Sequence, residues 1–272
     1  MMRSALRIAL PVSAVCAVLL APASASAQPQ SNTGGQNATG ANLQAEAEQL
    51  LAMANRARSI AGLGQLQWDA GLARAALYHC RWMVREGPIA HRYDGELDLQ
   101  ERAANSGARF GTIEENVAIG STPAVIHEAW MNSPGHRANL LSPEVDRVGI
   151  AVIASRGVLY AVQDFARDVP SLTSEQVEAR VAELVRVSGI AIEFDPTTAR
   201  AACATTSGFP KNAAGVEPRF IDRWQDPTLD KLPQQLADKL SSGNYRSAAI
   251  GSCPAGAVQG GFTSYRVAVL LY

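Results

Sequence analysis

The stretch from Val148 to Ala166 constrains this chain most. "VGIAVIAS" and "VLYAVQDFA" are rich in β-branched and aromatic residues, and "RG" at Arg156 and Gly157 marks a turn between them. That pattern predicts an antiparallel hairpin. Strands this apolar need covering layers, and the residues ahead of them supply helices. Leu50, Leu51, Ala54, Ala57 and Ile60 recur at helical spacing until Gly62 and Gly64 stop the run. A second helix is expected after Asp69, a natural N-cap, to about Arg85, and a third from Ala124 to Met131. Helices covering an antiparallel sheet make an α/β sandwich.

The N-terminus reads as an export signal. Arg3 and Arg7 precede an apolar run from Ile8 to Leu20, and "APASASA" follows ahead of Gln28. A positive n-region, a short apolar core and small residues at the cleavage end describe a secretory signal peptide over residues 1–27. The expected location is extracellular or periplasmic, with no transmembrane anchor in the mature chain, because no other apolar stretch approaches the length of a bilayer span. Residues 28–42, "QPQSNTGGQNATGAN", are polar and aperiodic and are expected to form a flexible tether. The organisation predicted is thus signal 1–27, tether 28–42, a sandwich domain over 43–168 and a smaller α+β domain over 169–272.

Export implies an oxidising compartment, so two of the three remaining cysteines can pair. Cys203 and Cys253 share the C-terminal half and are the expected bond, leaving Cys80 as a small buried residue on the second helix. In that half, Thr173 and Gln176 form a capping box for a helix to Val187, "GIAIEF" is a short strand, and a helix is expected from Leu229 to Leu240. Sliding the chain on itself places Leu51 on Val177, Trp68 on Phe194, Asp69 on Asp195 and the run Ala73 to Ala76 on Ala199 to Ala202. Either the second half is a degenerate repeat of the first, or two Ala-rich helices are alike by chance. All four His, at 79, 91, 127 and 136, lie in the first half.

A formal net charge of -1 offers no basic excess to neutralise phosphates, so nucleic acid is not an expected partner. Several catalytic motifs are absent. "HEAWM" at His127 has Met131 where a second metal-facing His would stand, and no GxSxG elbow, P-loop or CxxC pair occurs. What remains are polar residues flanking the helices: "AHR" at His91, "EEN" at Glu114 to Asn116, and "WMNSPGHR" at Trp130 to Arg137. Two imidazoles and a carboxylate can converge on one cleft, and neutral imidazole is a common ligand of divalent metals. His79, on the apolar second helix, reads as a satisfied core histidine.

Taken in order, "ANRARSIAGLGQLQWDAGLARAALYH", "AHR", "ENVAIG", "AVIHEAWMNSPGHRANLL", "VGIAV" and "YAVQDFA" resemble the CAP superfamily of cysteine-rich secretory, antigen 5 and pathogenesis-related-1 proteins, in its bacterial SCP-like form. The resemblance implies a three-layer α-β-α sandwich from about Leu50 to Ala166. It assigns His91 as the first cleft His, Glu115 as the first Glu and His136 as the second His. The family's second Glu falls on Ser133, and Glu128 on the same helix is five residues earlier, too far around to substitute. The resemblance also makes Trp68, Trp130 and Phe165 core residues, and gives Asn55, Arg58 and Gln163 the task of tying helix to sheet through buried hydrogen bonds.

The function implied is a secreted binding module rather than an enzyme. Its cleft of His91, Glu115 and His136 would hold zinc or another divalent cation through His91 and His136, or a small ligand, lipid or cell-envelope component. The alternative is a metal-dependent hydrolase of peptide or cell-envelope substrates, using the two His and Glu115 with a bound water.

Overall fold

The computed structural model describes residues 34–193, 195–211, 216–255 and 261–272. The expected signal, residues 28–33 of the expected tether and Phe194 of the internal match lie outside the described residues.

The first unit runs α1 (Gly34–Ile60), β1 (Gln67–Trp68), α2 (Ala70–Glu86), α3 (Leu99–Asn105), β2 (Phe110–Gly120), α4 (Pro123–Asn132), α5 (Pro134–Leu140), β3 (Arg147–Ser155) and β4 (Val158–Asp168). The expected tether is corrected here, since α1 already begins at Gly34. Burial of Ala47 and Leu50 fixes the helix downstream. With no proline between residues 34 and 42 to interrupt it, each upstream residue then adds a hydrogen bond without a new nucleus.

The sheet order is β1-β3-β4-β2, with β1 parallel to β3 and the other pairs antiparallel. The hairpin forms as expected, turning through Arg156 and Gly157, both at positive φ. Period-two alternation divides the strands between two cores. Val148, Leu159, Ala161 and Phe165 pack with Leu50, Ala54, Ile126 and Trp130 of α1 and α4. Ala151, Tyr160 and Val162 pack with Ala76, Cys80 and Met83 of α2. Two helical layers enclosing one sheet make the three-layer sandwich. Gly149 lets α2 lie directly on β3, because a Cβ there would sit 2.0 Å from the backbone nitrogen of Ala73.

The helix-to-sheet ties are partly as expected. Asn55 exchanges hydrogen bonds with both backbone groups of Leu66, and Arg58 donates to the carbonyls of Gly64, Leu140, Ser142 and Val145. Gln163 is buried, but no partner among the described residues reaches its amide. Trp68 does not join the core. It is 37% exposed, since β1 is only two residues long at the sheet edge, and it lines an outer groove with Leu43, Leu77 and Ile153.

The second unit contains α6 (Ser174–Arg186), β5 (Ala191–Ile192), α7 (Thr197–Ala204), β6 (Phe220–Asp226), α8 (Gln234–Ser241), β7 (Ser247–Cys253) and β8 (Tyr265–Leu271). The capping box at Thr173 and Gln176 starts α6, and the Cys203–Cys253 disulfide forms. The helix expected from Leu229 starts later, at Gln234, because Leu229 has φ 54° and Pro233 occupies the N-cap. The strand order β5-β7-β8-β6, with β5 parallel to β7, reproduces that of the first sheet. Asp69 caps α2; Asp195, one residue ahead of the Pro196 N-cap of α7, accepts from the Thr197 N–H; and Gly251 repeats Gly149, a Cβ there falling 2.1 Å from the α7 backbone. The second unit is therefore a reduced repeat of the first frame. No helix among the described residues is long and apolar enough to cross a membrane.

Candidate functional site

The three expected cleft residues do meet, at the open edge of β2. This strand pairs only with β4, so its other edge is available to the elements that wrap around it. Glu115 and Asn116 project to opposite faces. On the α2 side, the segment between α2 and α3 brings His91 to Glu115. On the α1 side, α5 brings His136. The His91 and His136 rings have centroids 6.2 Å apart and are inclined at 50°.

His91 is oriented through its inner nitrogen, which lies 2.8 Å from Glu115 Oε1. A carboxylate only accepts, so Nδ1 carries the proton and Nε2 is left to a ligand. Glu115 is fixed in turn by Arg102 of α3, which donates to Oε2. Backbone contacts fix His136. Asn116, fully buried, donates to the His136 carbonyl at 3.0 Å, and Asn139 donates to both the Asn116 side chain and the Glu115 carbonyl. Side chains on α5 and β2 therefore lock the His136-bearing helix to the strand that carries Glu115.

A second polar layer lies beneath. His79 is fully buried, as expected of a core histidine, with Nδ1 2.7 Å from Glu96 and Nε2 2.9 Å from the Ala90 carbonyl. The carbonyl requires a proton on Nε2, so His79 holds the loop carrying His91. Arg102 lies within ion-pair distance of both Glu96 and Glu115. Asp164 of β4 stands directly opposite Glu115.

These contacts set the protonation tendencies. The hydrogen bond to Glu115 raises the His91 pKa above its ordinary value, whereas burial and the neighbouring His91 lower that of His136. Burial and the charge of Glu115 push the Asp164 carboxyl well above the carboxylate range. Cys80 is inert, its thiol pushed up to about 12 by burial.

Other expectations resolve differently. Glu115 is on a strand and His136 on a helix, so only His91 is carried by a loop. Ser133 links α4 to α5 and makes no side-chain cap, Glu128 is exposed, and half-buried His127 finds no partner for Nδ1 among the described residues. Sequence reasoning missed Glu96, Arg102, Asn139 and Asp164. The signal for the first two was local: Asp98 and Glu101 form a capping box for α3 soon after His91, placing Arg102 on that helix. Asp164, inside an apolar strand, carried the signal of a buried charge in need of a partner.

Residues 51–165 match the model of the cysteine-rich secretory protein family, CAP. The chain is 30% identical over 115 residues to the uncharacterized protein YkwD of Bacillus subtilis, covering 41% of this chain and 44% of that protein. It is 31% identical over 107 residues to the uncharacterized membrane protein YlbC of the same organism, covering 39% of this chain and 31% of that one. The chain thus spans under half the length of either relative. A crystal structure of an extracellular SCP-domain protein from Bacillus anthracis aligns with TM-score 0.44 and 26% identity, over 52% of this chain and 45% of that one. The first unit thus carries the match to the CAP family.

Among the described residues no three His, Cys, Asp or Glu side chains converge as a metal site. Both Glu115 oxygens are engaged by His91 and Arg102, so Glu115 acts behind His91 rather than beside it. Two imidazoles remain for a cation. Nitrogens bound to one zinc at about 2.0–2.1 Å lie roughly 3–4 Å apart, and rings with centroids 6.2 Å apart can present nitrogens at that separation. A cation held by His91 and His136 would leave its other positions to water or a ligand.

Proposed function

We propose that this protein is an exported binding module whose cleft takes a divalent cation, zinc being the best chemical match, or a small polar ligand, through His91 and His136. The observation that carries the reading is the hydrogen-bonded order Arg102, Glu115, His91. A carboxylate behind an imidazole fixes its tautomer and turns the free nitrogen outward, as it does for metal-bound histidines. When bound, a cation would supply a positive point able to hold an anionic or carbonyl group of a ligand. Here His91 and His136 supply the nitrogens, Glu115 orients His91, and Asn116 with Asn139 fixes α5. A lipid or cell-envelope component is the proposed class of larger partner, in keeping with the export signal read in residues 1–27.

Calorimetric titration of zinc into the wild type and a His91→Ala, His136→Ala double variant tests the reading. Saturable heat in the wild type, lost in the variant, is expected; indistinguishable heats would remove the cation claim.

A further inference from the structure

Asp164 is fully buried, and among the described residues no hydrogen-bond donor reaches either of its carboxyl oxygens. Its place in the sheet explains the isolation. In the β2–β4 register it stands opposite Glu115, and in the β3–β4 register opposite Gly149, which has no side chain to offer. The charged groups acting on it are Glu115 from β2, Glu96 from the segment ahead of α3, and Arg102 from α3. His79 of α2 meets Glu96 and the Ala90 carbonyl, with its Nε2 3.9 Å from Glu115 Oε2. Three carboxyls thus share one guanidinium and the His79 imidazole in a buried interior. Like charges directly opposite across a strand pair repel, and two carboxyls sharing a buried site do not both ionise.

A carboxyl with no protein donor in reach can satisfy itself by keeping its proton and donating it to a neighbouring acceptor. Glu115 is the natural acceptor. Its two oxygens offer about four lone-pair positions, of which His91 and Arg102 each take one.

We propose that Asp164 is a positioning residue of the cleft: its carboxyl stays protonated at neutral pH and donates to Glu115, giving the group behind His91 a third donor. Burial of Asp164 acts in the same sense, favouring the neutral acid. The cleft therefore has a second acid after all, beneath Glu115 instead of at Ser133, where the family resemblance would place it. The proposal rests on the paired-His reading only for the use made of His91; the buried hydrogen bond stands by itself.

Carbon-13 NMR of the Asp164 carboxyl in the metal-free full chain tests the proton directly. The resonance should stay at its protonated position through pH 7; titration in the ordinary carboxylate range overturns the proposal. Asp164→Asn and Asp164→Leu, followed through the His91 imidazole titration, test the positioning role. Asn keeps a donor and adds no charge, so the His91 midpoint should not move. A downward shift in Asn would mean that a negative charge had been removed, contradicting a neutral Asp164. Leu removes the donor, leaves Glu115 more basic and should shift the His91 midpoint upward; no change in a folded Leu variant would contradict positioning. If Leu fails to fold, the carboxyl resonance and the Asn variant decide. Zinc titration of the same wild-type sample separates the claims, since failure to bind zinc removes the paired-His reading and leaves the proton assignment intact.

Discussion

The two units share a frame and differ in what is hung on it. Both have a four-stranded sheet with a short parallel strand at one edge, a helix after that strand whose entry carries an Asp accepting a backbone N–H, and a strand glycine on which the helix lies. Among the described residues only the first has α3 and α5, and these carry Arg102 and His136, whereas Glu115 stands on the shared strand β2. The polar cleft therefore forms where the additions meet a strand of the shared fold. The second unit instead joins α7 to β7 through the Cys203–Cys253 disulfide.

The largest expected effect tests the additions. Arg102→Met would leave Glu115 and Glu96 buried without their cation, and breaking such a network costs about 3–5 kcal/mol. Urea denaturation should show that loss, and a change under about 1 kcal/mol would mean that the carboxylates find another way to be neutralised.

Reducing the disulfide should cost about 2–4 kcal/mol. Hydrogen exchange should place the loss in α7 and β7, with β2 to β4 unchanged. Equal loosening of both sheets would show that the units do not unfold separately.

Gly149→Ala and Gly251→Ala test the shared frame itself. Each adds a Cβ about 2 Å from a helix backbone, and overpacking of this kind costs about 1–3 kcal/mol. Similar losses in thermal or urea unfolding are expected; tolerance of one but not the other would break the equivalence.

The smallest effect is electrostatic. The His91 pKa is raised in the folded chain above the ordinary 6.5, so its contribution to stability is fully present below that value and disappears as pH rises through the folded pKa. His91 is more than half exposed, so the effect is small. The stability difference between the wild type and His91→Asn should be larger at pH 5.5 than at pH 8.5; a difference that does not shrink with rising pH would contradict the Glu115 contact as its source.

Much of the frame was legible in the sequence. The apolar strands on either side of Arg156 and Gly157 gave the hairpin, Asp69 the start of α2, and Thr173 with Gln176 the start of α6. The strand that builds the site was harder to read. "FGTIEENVAIG" places Glu114, Glu115 and Asn116 at its centre, which looks like a loop, and only the partners Arg102, His136 and Asn139 from distant segments make those polar groups tolerable in a strand. "SPGH" has the composition of a turn, yet α5 begins there, because Pro134 is favourable at the first position of a helix. His91, Glu115 and His136 were found through family resemblance. Glu96, Arg102 and Asp164 were not, because their roles depend on the tertiary pairing of β2 with β4 and the docking of α3.

The central claim is that His91 and His136 act as a pair, oriented from behind. Nitrogen-15 NMR of the histidine side chains during zinc addition tests it most directly. The account predicts that His91 and His136 shift together and saturate at one equivalent, while buried His79 and distant His127 stay in place. A shift confined to one of the pair, or movement of His79 or His127 instead, would contradict it.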